Sequence, residues 1–294
     1  MKTFVTRRSV LAGLALAPLV RTAHARRSGP TEIVLRTADG RNSTVTVWRT
    51  ARRRRGTLLF SHGAASAPYK YTRLVEPWVA AGYDVHAPLH PDSTDHPDTA
   101  RFKGFTTWAA RIEDMRALAA SIPDEHYVAT GHSYGAMTAL VLGGAEAMQP
   151  QGVSGPLRDP RVIASVAFSP PAPIPGFIEA RGYATLAVPA FVQSGDRDVM
   201  PGIAGADWKG HLTAWEAAAA SGDRYALVLA GVDHYFGGLI CESDKPGPPQ
   251  AAQLRSAIAL STLFIEAYGS ADGRARRALE RRLAPEGKVI LRRK

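Results

Sequence analysis

One cysteine, Cys241, is all that the 294 residues contain. A lone thiol excludes an intramolecular disulfide and a zinc site built on paired cysteines, so whatever fold forms is not stapled. Long apolar runs are missing as well. The longest, Val10–Val20, covers eleven residues, whereas a bilayer-spanning helix takes about twenty. The body of the chain also lacks any excess of charge. The net charge of +10 sits at the ends: residues 1–25 hold four basic and no acidic side chains, residues 271–294 hold nine against three, and residues 26–270 carry 23 of each sign. Nucleic-acid binding needs a basic face on the folded body, which a neutral body does not supply. With 45% hydrophobic and 21% charged residues and no internal repeat, the composition is that of a globular domain with a sizeable core.

What the first residues do contain is a twin-arginine sequence, Thr6-Arg7-Arg8-Ser9-Val10-Leu11. The short apolar run follows it, and then Ala23-His24-Ala25, a small-x-small cleavage pattern. Residues 1–25 are expected to be an export signal cut after Ala25. The mature product is then expected in the bacterial periplasm or secreted, with no stable membrane anchor. The remainder divides into an α/β domain over residues 26–270 and a basic helix and tail over 271–294.

Within the domain, Glu32–Leu35 and Thr44–Trp48 flank the turn residues Ala38–Asn42 and predict an edge hairpin. Thr57–Ser61 is a run of the kind expected for a strand covered on both faces. Further strands are expected at Tyr83–Ala87, Tyr127–Ala129, Val162–Phe168, Leu186–Gln193 and Tyr225–Leu229, with helices near 69–80, 107–120, 136–140 and 252–268. Trp108, Ile112, Met115 and Ala119 recur at three to four residues, a helical stripe facing the core. Strands alternating with helices predict a mostly parallel sheet with helices on both faces. Residues 146–160, rich in Gly, Pro and Gln, read as a loop. His90–Asp98, with irregularly spaced His and Asp among prolines, reads as a turn-rich loop in preference to a metal site.

The chain is organised around Val128–Leu140, which runs from an apolar strand through Gly131-His132-Ser133-Tyr134-Gly135 into a small-residue helix. Glycines at 131 and 135 leave out β-carbons where the chain reverses, so the turn can push the Ser133 hydroxyl out of the fold. Ser133 is the candidate nucleophile. Near neutrality a serine hydroxyl needs a histidine to take its proton and an acid to orient that histidine. Two histidines follow Ser133. His211 lies in a predicted helix, where a solvated role is expected. His234, in the loop Gly231–Phe236 beyond the last strand, is the expected base. The acid is expected from Ser194–Val199: Asp198 stands far enough past the turn to reach His234, Asp196 is placed to secure the turn itself, and Asp207 is a more distant candidate. Oxyanion donors are expected from the Tyr134 amide at the helix start and from the loop at His62-Gly63-Ala64. Tyr69, Phe168 and Phe236 are expected to line an apolar acyl pocket.

Taken together, Phe60-Ser61-His62-Gly63, Ala81-Gly82-Tyr83-Asp84-Val85 with Pro88-Leu89-His90, Gly131–Gly135, Gly195-Asp196-Arg197-Asp198 and Asp233-His234-Tyr235-Phe236 resemble the serine α/β-hydrolases. More narrowly, they are similar to the dienelactone-hydrolase-like and platelet-activating-factor-acetylhydrolase-like group, over residues 31–268. The resemblance implies the α/β-hydrolase fold, a triad of Ser133, Asp198 and His234, and an oxyanion hole from the amides of Ala64 and Tyr134. It implies hydrolysis of a small-molecule carboxylic ester through an acyl-enzyme, with no cofactor and no metal. True dienelactone hydrolases carry a cysteine where Ser133 stands. The alternatives are a peptidase or amidase of the same fold and a catalytically silent binding protein; an intact Ser, Asp and His in this order favours catalysis.

Replacing Arg7 and Arg8 together with Lys is expected to keep the protein inside the cell, read by fractionation of periplasm and cytoplasm. Unchanged export would assign the signal to the general secretory route.

Overall fold

In a computed structural model the described residues are Met1, 29–199, 207–221, 223–242 and 247–294, the side chain of Phe105 apart. Residues 2–25 of the expected export signal lie outside them. The chain opens with the antiparallel hairpin β1 (Thr31–Arg36) and β2 (Asn42–Trp48), then β3 (Gly56–Ser61), α1 (Thr72–Ala80), β4 (Tyr83–Pro88), α2 (Trp108–Ser121), β5 (Tyr127–His132) and α3 (Tyr134–Leu142). There follow β6 (Val162–Phe168), α4 (Ala180–Ala184), β7 (Ala190–Gly195), α5 (Thr213–Ala217), β8 (Arg224–Leu229), α6 (Ala251–Phe264), α7 (Gly273–Glu280) and β9 (Val289–Arg293).

Among the described residues all nine strands form one sheet in the order β1-β2-β4-β3-β5-β6-β7-β8-β9. β4, β3, β5, β6, β7 and β8 run parallel, and both edges are antiparallel. Side chains of a strand alternate between faces, and here both faces are dry. Leu58 and Phe60 join the core under α1 and α6 with Leu74, Val75, Trp78, Leu254 and Phe264. Leu59 joins the opposite core with Met137 and Leu140 of α3 and the predicted stripe of α2, where Trp108, Ile112, Met115 and Ala119 are all buried. That is why β3 has no polar face. Parallel strands also share one carboxyl end, so the loops after β3, β5, β6, β7 and β8 all open on the same side.

The helix expected near 69–80 is a 3₁₀ turn, Pro68–Tyr71, that leads into α1; the proline stands at its start, where a missing N–H is harmless. The basic C-terminus is not a separate tail. Asp272 caps α7 by accepting the amides of Arg274 and Ala275 at 2.8 and 3.1 Å. β9 then closes the sheet against β8, from Tyr225 opposite Arg293 to Leu229 opposite Val289. Leu279 and Leu291 are buried while Arg292 and Arg293 face out, so the basic excess is the solvated side of integral elements. The division at residue 270 is corrected accordingly. Among the described residues no helix is long and apolar enough to cross a membrane.

Leu291→Ala is expected to destabilise the fold by about 3 kcal/mol, as for other buried leucines, and Arg292→Ala by less than about 0.5 kcal/mol. Denaturant midpoints of the two variants provide the check; equal midpoints would detach β9 from the core.

Candidate active site

Ser133 sits between β5 and α3 with φ 53° and ψ −121°, a backbone that non-glycine residues rarely take. Close packing holds it there. A β-carbon on Gly131 would lie 2.2 Å from the Gly135 carbonyl oxygen, and one on Gly135 would lie 1.9 Å from that of Ser61. The Ser133 amide donates to the Phe168 carbonyl at 2.8 Å, tying the turn to the end of β6. Ser133 remains partly exposed, and Tyr134 opens α3, where the first amides of a helix have no acceptor within it.

Beyond β7 the chain turns at Gly195, and the Asp198 amide returns to the Gly195 carbonyl at 3.1 Å. The Asp198 carboxylate is fully buried. One oxygen is 2.7 Å from His234 Nδ1 and 3.2 Å from His211 Nε2. The other accepts the hydroxyls of Ser169 at 2.6 Å and Ser194 at 3.0 Å. Burial by itself would raise its pKa, but the His234 hydrogen bond, the nearby imidazoles and the Ser169 hydroxyl together hold it well below the ordinary carboxylate range. With Nδ1 of His234 spent on the acid, Nε2 is left as the basic nitrogen.

The rival aspartates have other work. Asp196 is exposed and accepts the Gly231 amide at 2.6 Å, stitching the β7 turn to the β8 turn. Asp207 accepts the Lys209 amide at the start of the 3₁₀ turn Trp208–Leu212. Asp233 accepts the amides of Tyr235 and Gly237, each at 2.9 Å, and so shapes the loop that carries His234.

Three expectations need correction. His211 is not solvated: it is buried beside Asp198, with Nδ1 2.6 Å from the Pro170 carbonyl, a position set by where the turn 208–212 packs. Phe168 and Phe236 do not line an acyl pocket, since both are wholly buried, 6.5 Å apart, with Phe168 edge-on to Trp78 at 6.1 Å in the core under α1. Tyr69 is largely exposed on the Pro68–Tyr71 turn, and it is Tyr71 that turns inward. Tyr71 was not a sequence candidate. The Gly63 amide donates to its hydroxyl at 2.9 Å, the hydroxyl donates to His132 Nδ1 at 3.0 Å, and His132 Nε2 donates to the His234 carbonyl at 2.9 Å. This string joins the loop after β3, the nucleophile turn and the base loop. Gly63 and Ala64 form a tight turn closed by the Ser66 amide on the Gly63 carbonyl at 3.3 Å, and Ala64 is exposed.

The His90–Asp98 loop is turn-rich as expected, yet its first residues are buried. His90 bridges Ser61 Oγ and Asp114, each at 2.9 Å, and Asp92 pairs with Arg111. The ligand atoms of Asp198, His211 and His234 lie within 4.8 Å of one another. Of those separations, the 2.7 Å from His234 Nδ1 to Asp198 is that of an N–H···O bond, and 3.2 Å separates Asp198 from His211 Nε2. Two ligands about 2 Å from a tetrahedral ion stand farther apart than the shorter of them, so Asp198 and His234 are a hydrogen-bonded pair.

A mostly parallel sheet with a serine on the strand-to-helix turn after β5, an acid after β7 and a histidine after β8 defines the α/β-hydrolase class of fold. The chain belongs to the alpha/beta hydrolase family, whose model matches residues 58–285. Among solved structures, it is similar to a putative dienelactone hydrolase of Klebsiella pneumoniae, with 15% identity, TM-score 0.58, and 81% of this chain and 98% of that one covered. It is similar to the propionate-bound esterase 2 of Thermogutta terrifontis, with 15% identity, TM-score 0.60, and 89% and 98% covered. A serine hydrolase homologue of Coxiella burnetii aligns at 14% identity and TM-score 0.56, with 79% and 96% covered. Comparison with curated proteins finds no match.

Buried histidines give the site a pH signature. Desolvation holds His62 and His90 well below the ordinary histidine range and, with His234 nearby, brings His132 to about 3. The unfolded chain therefore binds protons below about pH 6.5 that the folded chain refuses, and stability is lost as pH falls. The lowered carboxyl of Asp198 adds to this at still lower pH. Asp114, which burial raises to about 7 against the pull of Arg41, opposes it alone among these groups. The thermal midpoint is expected to be lower at about pH 5 than at about pH 7.5. A midpoint equal or higher at the lower pH would mean the rings are charged in the fold.

Proposed function

We propose that the protein hydrolyses carboxylic esters through an acyl-enzyme on Ser133. The observation that carries this reading is the buried Asp198 carboxylate 2.7 Å from His234 Nδ1, in a loop that His132 ties to the Ser133 turn. The Ser133 hydroxyl attacks the ester carbonyl while His234 Nε2 takes its proton. Asp198 keeps Nδ1 protonated and stabilises the imidazolium that forms. Charge on the carbonyl oxygen is met by the amides of Tyr134 and Ala64. Collapse of the tetrahedral adduct passes the proton to the leaving alcohol and leaves the acyl group on Ser133; water then repeats the sequence, with His234 again as base, and releases the acid. No cofactor enters these steps. Esterase 2 of Thermogutta terrifontis, of like fold, is phosphorylated by paraoxon and binds propionate, which makes short acyl esters and organophosphorus probes the natural first reagents. On its twin-arginine signature we further propose that the mature chain acts in the periplasm or outside the cell.

A fluorophosphonate is expected to label Ser133, and a panel of p-nitrophenyl esters is expected to turn over faster than the matching anilides; faster anilides would make it an amidase. Asp198→Asn is expected to leave the fold intact and lower kcat by about 10⁴-fold. Asp196→Asn should cost mainly stability, on the order of 1 kcal/mol, with kcat near wild type. A large kcat loss in Asp196→Asn with Asp198→Asn nearly normal would exchange their roles, and no labelling of folded protein would leave a silent binding protein.

A further inference from the structure

Arg111 lies on α2, is fully buried, and takes no part in the steps above. A guanidinium has five N–H donors, and every one here has an acceptor. Nε and Nη2 grip the two oxygens of Asp92 at 3.1 and 2.8 Å. Nη1 donates to the His62 carbonyl at 2.8 Å and to the Ser61 hydroxyl at 3.3 Å, and Nη2 donates to the Gly63 carbonyl at 3.2 Å. The guanidinium carbon also stands 4.3 Å from the centroid of the Tyr134 ring. One side chain thus touches the loop that carries the Ala64 amide and the residue that carries the Tyr134 amide.

The consequence follows from peptide geometry. In a trans peptide the C=O and the N–H point in opposite directions. The peptide between His62 and Gly63 obeys this visibly: its carbonyl goes to Arg111 and its N–H goes the other way, to the Tyr71 hydroxyl at 2.9 Å. In the next peptide the Gly63 carbonyl is held on the Arg111 side, where His62 Nδ1 at 2.7 Å also meets it. The Ala64 N–H is therefore turned away from Arg111. On the Tyr134 side, the cation rests on the ring face and restricts the first residue of α3. Lysine would keep the charge but has no planar fork with which to hold two successive carbonyls and a carboxylate at once.

We propose that Arg111 is a positioning residue that sets both donors of the oxyanion hole, an inference that rests on the ester-hydrolase reading. Asp92 orients the guanidinium from behind. Because the oxyanion exists only after attack on the carbonyl, the effect belongs in kcat and in the binding of tetrahedral adducts, not in the binding of the ester.

The test compares wild type, Arg111→Lys and Asp92→Asn on p-nitrophenyl acetate, with folding followed by circular dichroism, and measures inhibition by a trifluoromethyl ketone that forms a hemiketal on Ser133. Arg111→Lys is expected to lower kcat by about 10²-fold, with KM within about threefold and ketone affinity falling in proportion to kcat/KM. Asp92→Asn is expected to show the same split with a loss of about tenfold. A folded Arg111→Lys with kcat and ketone affinity within about threefold of wild type overturns the proposal, as does a rise in KM alone. Should Arg111→Lys not fold, Asp92→Asn decides on the same two readings. A wild type that cleaves no ester and is not labelled on Ser133 brings down the hydrolase reading and this proposal together; an active wild type with an unaltered lysine variant brings down this proposal only.

Discussion

A carboxylate with no exposed surface survives in a protein only where its lone pairs are filled, and the functional end of this fold is arranged around one such group. The donors to Asp198 come from separate parts of the chain, Ser194 within β7, Ser169 just beyond β6 and His234 beyond β8, and the His211 ring of the turn 208–212 packs 3.2 Å from the same carboxylate. None of these can move without stranding a buried negative charge, a penalty larger than the worth of the bond lost. The demand for satisfaction thus fixes the spatial relation of three strand ends. The base is oriented as a by-product of making the acid bearable.

The same economy appears on the other side of Ser133. His132 precedes the nucleophile in sequence and ties Tyr71 to the His234 carbonyl. Burial keeps this ring neutral, which is what lets one nitrogen accept while the other donates. Gly131 lets the turn close on Gly135, and Gly135 permits the contact with the end of β3 that brings the loop of Gly63 and Ala64 beside the turn. Behind that loop stands a layer of paired and hydrogen-bonded groups, Arg111 with Asp92 and His90 with Asp114, all buried. These groups are far costlier to bury than apolar side chains, yet through Arg111 they present directional bonds to the His62 and Gly63 carbonyls, which apolar side chains cannot do. Precision of the backbone, more than stability, is what this layer supplies.

How much of this could be read in advance depends on whether the physical cause was local. The unbroken apolar run of β3, the stripe of Trp108, Ile112, Met115 and Ala119, and the glycine-flanked Ser133 are patterns of neighbouring residues, so periodicity and sterics were enough for the sheet with helices on both faces and for a serine on a sharp turn. Candidate acids and bases followed from which strand each loop succeeds. The sequence by itself determined most element types, a mostly parallel sheet and the chemistry available at each strand end. It could not place His211, because nothing within the turn 208–212 says that its imidazole meets a carboxylate thirteen residues earlier across a loop. Phe168 and Phe236 misled for a related reason: an aromatic residue near a strand end reads the same whether it faces the site or the core, and pleat phase in the assembled sheet decides which. β9 was hidden because five residues with three adjacent apolar side chains are too short a signal until β8 offers an edge to pair with. Arg111 was invisible among the charges of an amphipathic-looking helix, since its partners lie 19 and 48 residues away. Only the tertiary structure decided these positions, because contacts between loops are set by the packing of the whole sheet, and burial converts an ordinary polar residue into one whose every hydrogen bond is obligatory.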